Sequence, residues 1–125
     1  MDQTPDDVRA RVDEALAQVV QVVRRMPPGR LRSAGRVGAA RALARDLATA
    51  VQGIEQAESA APPTWRMLPD VPDLVVGDQL AVLAYDFSLA IPEAPAQVWT
   101  PHGRAPLSDV LGDLLLVITN TNGVL

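Results

Sequence analysis

LVVGDQLAVLAYDFSLAI, Leu74 to Ile91, is the most apolar long segment of the chain. At about 100° per residue, Val76, Leu80, Leu83, Phe87 and Ile91 share one apolar face, while Val82 and Leu89 lie on another. A thin polar stripe carrying Gln79 and Asp86, two helical turns apart, runs between the two faces. A helix that is apolar on nearly every side belongs at the centre of its fold. LAVLAY alone could be a strand, but the four-residue apolar spacing and the alanines favour a helix, and Pro92 stops it.

Before this helix lie two longer ones. Thr4 is an N-cap residue, Pro5 occupies the favoured first helical position, and Asp6 and Asp7 suit the positive end of the dipole. Val8, Val12, Ala15, Val19, Val22 and Met26 then repeat at spacings of three and four, with Leu16 and Val23 widening the seam. Pro27-Pro28-Gly29 ends the helix. Ser33 is the expected cap of the second helix, whose seam is Val37, Ala40, Ala44, Leu47, Val51 and Ile54. The short connection implies that these two helices fold back as an antiparallel hairpin.

The crossover AAPPTWRMLPDVP, Ala60 to Pro72, has four prolines in thirteen residues. In an extended form it can run the length of the helices, pinned to the surface by Trp65, Met67 and Leu68. A second loop, Pro92 to Pro106, carries Trp99 and His102. The last helix, from Leu107 to Ile118, turns Leu107, Val110, Leu111, Leu114, Leu115, Val117 and Ile118 inward and leaves Leu116 stranded on the polar side.

The expected fold is therefore all-α and four-helix bundle-like: an N-terminal antiparallel helical hairpin plus two helices joined by Pro-rich crossovers. The helices are expected at about 5–26, 33–58, 74–91 and 107–118, in a single helical domain over 1–125 with a turn-like or frayed tail at 119–125. The alternative is a three-helix unit with an added strand or hairpin near the end, because VITNTNGVL, Val117 to Leu125, has β character.

Charge is unevenly placed. Seven arginines and no acid lie between Arg24 and Arg45, whereas ten acids and two arginines follow from Asp46 onward. Arg24 and Arg25 suit a helix C-terminus. Arg30, Arg32 and Arg36 oppose the dipole at the start of the next helix, and Arg41 and Arg45 form a like-charge pair one turn apart. These five are the candidate contacts for an anion, an acidic protein partner or an acid of the same chain. Nucleic acid ranks low as a partner, because the chain is net −4, whereas such binding normally leaves a basic footprint over a full face. Gln79 and Asp86 are the candidate polar pair of a pocket or subunit interface.

The remaining constellations are weak. There is no cysteine and one histidine, which excludes thiolate chemistry and leaves a metal almost only oxygen ligands. Glu55 with Glu58 and Asp109 with Asp113 have helical spacing, but no Glu-x-x-His accompanies them, so no metal or other cofactor is expected. His102 in TPHGR and nearby Ser108 lack a nucleophile-elbow pattern. Trp65 and Trp99 are expected to cap the ends of the helices rather than line a cleft. The acidic start gives no signal-peptide pattern, and no apolar run reaches a membrane span, so the expected location is the cytoplasm. The functional expectation is a non-enzymatic protein-interaction or dimerisation module, most naturally a homodimer. The alternatives are an anion- or nucleic-acid-binding regulator using Arg24–Arg45, and a carrier of a small apolar ligand held between the last two helices.

Overall fold

A computed structural model describes residues 5–125 and is mostly helical. The long helices are α1 (Pro5–Arg25), α3 (Arg36–Glu55), α4 (Val76–Ala90) and α5 (Leu107–Val124). A single turn, α2 (Pro28–Leu31), sits between α1 and α3, and a hairpin of β1 (Gln97–Thr100) and β2 (Gly103–Pro106) precedes α5. The expected cap Thr4 lies outside the described residues.

α1 and α3 do not form the packed hairpin expected of neighbours in sequence. Each packs instead against both α4 and α5, and those two lie between them. The linker through α2, anchored by buried Leu31, is long enough to carry the chain across the core rather than to the adjacent position. Directions follow from the contacts. Arg41, early in α3, reaches Asp73 just before α4, so the crossover runs back along α3 and delivers α4 parallel to it. Arg24, in the last turn of α1, meets Asp78 in the first turn of α4, so those two helices are antiparallel.

The core is made by Val12, Leu16, Val19 and Val23 of α1, Leu43 and Leu47 of α3, Leu80 and Phe87 of α4, and Leu111 and Ile118 of α5. The face read on α4 is the buried one: Val76, Leu80, Leu83, Phe87 and Ile91 are all in the core. On α1 the seam is rotated from the expected one, and Val22 is exposed. Small residues permit close approach, since the position of a Cβ at Gly77 would already touch Val23 and Arg24 of α1.

Several boundaries differ from the expectation. α3 starts at Arg36, not Ser33, because Ala34 (φ 57°) and Gly35 (φ 72°) are both left-handed and make a sharp turn in which Gly35 takes the cap position. Ser33 does not cap; its hydroxyl donates to the Arg30 carbonyl and accepts from the Arg36 guanidinium. 3₁₀ turns flank α4 at Asp73–Val75 and Ile91–Glu93.

The tail is neither frayed nor a strand. α5 continues to Val124, Thr121 is buried, and the hydroxyls of Thr119 and Thr121 donate to carbonyls one turn back. The β structure falls in the second loop, where Val98 pairs with Ala105 and Trp99 with Arg104. Val98 is buried, and the Leu107 amide donates to the Ala96 carbonyl to close the hairpin onto α5.

Candidate functional site

Four of the five singled-out arginines bind their own chain. Arg32 and Arg41 both reach Asp73, at 3.9 and 2.8 Å, and Arg41 also donates to the Val71 carbonyl at 2.7 Å. Arg30 and Arg36 donate to the backbone oxygen of Leu125 at 3.3 and 3.4 Å, placing two cations at the negative end of the α5 dipole. Arg36 also donates to the Arg30 carbonyl and to Ser33, tying the turn before α3. Arg45 has no carboxylate within ion-pairing distance among the described residues.

Gln79 and Asp86 are not brought to one place. Two turns separate them along α4, roughly 10 Å of rise, and they border different grooves on the α3 side of the helix. Nor do they face α5: α4 and α5 are not a principal packing pair, so these two residues are not aimed between the last two helices. Gln79 donates to the Pro69 carbonyl at 3.1 Å and so fastens the crossover to α4. Asp86 is exposed.

That fastening is one of three. Buried Gln52 of α3 grips the crossover with both ends of its amide: Nε2 donates to the Arg66 carbonyl at 3.2 Å, and Oε1 accepts from the Arg66 amide at 2.8 Å. With Gln79 on Pro69 and Arg41 on Val71, the extended segment lies along α3 and α4 like a bound peptide. Apolar pins hold it beside these polar clamps, since Leu68 and Val71 pack against the core and Trp65 is half-buried. Met67, expected to be buried, is 93% exposed, while Leu68 is half-buried. Gln52 was missed in the sequence, although a glutamine next to the apolar positions Val51 and Ile54 is the signal that could have marked it.

Beneath this strap α3, α4 and the crossover enclose a groove of about 330 Å³, bordered by Arg41, Arg45, Trp65, Arg66, Asp70 and Gln79 among others. It joins three of the singled-out residues, Arg41, Arg45 and Gln79. Trp65 lines this groove, and its ring edge also reaches Gly53 in the last turn of α3. Trp99 stands at the C-terminal end of α3, where its indole N–H donates to the Ser59 carbonyl. Arg104 lies over the Trp99 ring, 4.4 Å from its centre, and donates to the Ala57 and Ser59 carbonyls beyond the end of α3.

On the far side of α3, a shallower depression of about 490 Å³ is bordered by Asp46, His102, Asp109 and Asp113 together with Trp99, Val110 and Val117. Partial desolvation raises the carboxyls of Asp46 and of Asp13 on α1, although both residues stand at the exposed surface, and the neighbouring Arg45 charge draws Asp46 partly back. Among the described residues, no group of three His, Asp or Glu side chains is placed to hold a metal ion.

The most conspicuous surface is the outer side of α4. Val82, Tyr85 and Leu89 are 60, 64 and 62% exposed, and Leu74 stands exposed at the approach to the helix. With Asp78 they form a stripe at spacings of 4, 4, 3 and 4 on the side opposite the core. This second apolar face also makes Asp73–Glu93 long and apolar enough to cross a membrane, while one third of that stretch is buried in the core. No protein family model, curated protein or solved structure matches the chain.

Proposed function

We propose that this chain is a non-enzymatic interaction module in which the four long helices form a bundle-like scaffold and the outer face of α4 mates with a second copy. The observation that carries the reading is the solvent exposure of Val82, Tyr85 and Leu89 on a helix whose opposite side is fully engaged in the core. Contiguous exposed apolar surface rimmed by polar residues is characteristic of interaction sites.

The occupant follows from the order of residues in the stripe. Reversed about Val82, it meets itself: Leu74 falls opposite Leu89 of the second copy, Val82 opposite Val82, and Asp78 opposite Tyr85. The one acid in the stripe then faces a phenol O–H donor instead of another acid, and its charge is already answered by Arg24 at 3.5 Å. Such self-complementarity is what a two-fold interface requires. Asp86 sits at the edge of the stripe, on the rim where polar residues belong.

The solution mass tests it. Light scattering at high micromolar concentration is expected to give twice 13.3 kDa, and Val82→Glu with Leu89→Glu is expected to give the mass of one chain with an unchanged helical spectrum. A single-chain mass for the unaltered protein overturns the proposal.

A further inference from the structure

We infer that the groove beneath the crossover binds a small organic monoanion with a flat ring, of the aromatic carboxylate class. The groove is independent of the outer face of α4, and so is this inference. Its cations are unevenly satisfied. Arg41 shares the single Asp73 carboxylate with Arg32, whereas Arg45 on α3 and Arg66 on the crossover have no ion-pair partner among the described residues. Asp46, which senses the Arg45 charge, borders the depression on the other side of α3.

Charge counting sets the valence of the ligand. Arg32, Arg41, Arg45 and Arg66 contribute four positive charges, and Asp73, Asp70 and the Asp46 beside Arg45 three negative, leaving one uncompensated positive charge. A carboxylate neutralises that charge, and guanidinium forks match its two oxygens. A phosphate dianion or a nucleic-acid strand brings more charge than the groove answers. The flat ring follows from Trp65, which lies next to Arg66 in the chain and borders the groove, with apolar Leu68 and Ala48 beside it. A volume of about 330 Å³ matches the lower end of small-molecule sites. The backbone along it is fixed, because Gln52 grips Arg66 and Gln79 grips Pro69.

The experiment is a titration of the ¹⁵N-labelled full chain with 2-naphthoate, with 2-naphthalenemethanol and inorganic phosphate as comparison probes. Naphthoate is expected to shift the Trp65 indole N–H and the amides of Arg45, Thr49 and Arg66 saturably, with Kd below about 1 mM. The neutral alcohol and phosphate are each expected to bind at least about fivefold more weakly. Arg45→Gln and Arg66→Gln, both at exposed side chains, are each expected to weaken naphthoate about tenfold, the usual size of a lost charge-assisted hydrogen bond. Their spectra away from the groove report that the fold is intact. Equal binding of the alcohol overturns the role of charge, equal binding of phosphate overturns the role of the ring, and undiminished binding by both variants overturns the site.

Discussion

The backbone carbonyl oxygen of Trp99 fills the space that a side chain on Gly53 would need. α3 and the β1 strand therefore meet backbone to backbone, with the Trp65 ring edge also close by. The obstacle is main chain, so no rotamer change relieves it. Gly53→Ala is expected to cost about 3 kcal/mol, at the upper end of over-packing effects, as measured by urea unfolding. Gly112→Ala is its control. That glycine lies within α5 with open space around it, and the substitution is expected to stabilise by up to about 1 kcal/mol through helix propensity.

Gln52→Leu removes both hydrogen bonds to Arg66 at nearly constant volume and leaves the Arg66 amide and carbonyl without their protein partners. A loss of about 2 kcal/mol is expected. The local consequence is more specific: trypsin cleavage after Arg66 should accelerate severalfold, more than cleavage after arginines elsewhere. Uniform acceleration at all sites would instead mark a general loss of stability.

Ala34 pays for a left-handed backbone at φ 57° that glycine adopts freely. Ala34→Gly is expected to stabilise by about 1 kcal/mol in urea unfolding. Ala34→Val, β-branched at the same position, is expected to destabilise.

Much of the helical architecture was legible because it rests on local periodicity. Val76, Leu80, Leu83, Phe87 and Ile91 are buried as their spacing predicts, and Leu116 is as exposed as its position on the polar side of the last helix implies. What was not legible depends on partners distant in sequence. The polar tail TNTNGV stays helical with Arg30 and Arg36 bound to the Leu125 oxygen at its far end. The hairpin is only four residues per strand, and buried Val98 and the Arg104–Trp99 pair anchor it to the end of α3. The arginine cluster was visible as a charge anomaly. Asp73, the partner of Arg32 and Arg41, could not be chosen from among ten acids without knowing that the crossover returns along α3. Gln79 was singled out as one of a polar pair, whereas its groove joins it to Arg41 and Arg45.

Asp46 gives a pH signature. Partial desolvation of this surface residue, stronger than the opposing Arg45 charge, raises its folded carboxyl above the unfolded value, so the folded state holds the proton more tightly. Its cost is absent below the unfolded pKa and appears as pH rises through the folded one. Asp46→Asn is therefore expected to raise Tm at neutral pH, with the difference shrinking towards zero in acid below the usual carboxylate range. A larger gain in acid than at neutrality would contradict this assignment.

A self-complementary outer face on α4 makes the mass of the intact chain depend on concentration, which sedimentation equilibrium reads. The mass is expected to rise from 13.3 kDa to twice that value with concentration, an increase abolished by Leu89→Glu and left unchanged by Leu116→Glu, at an equally exposed leucine on α5. One chain at every concentration, or a dimer that Leu89→Glu does not disturb, would contradict it.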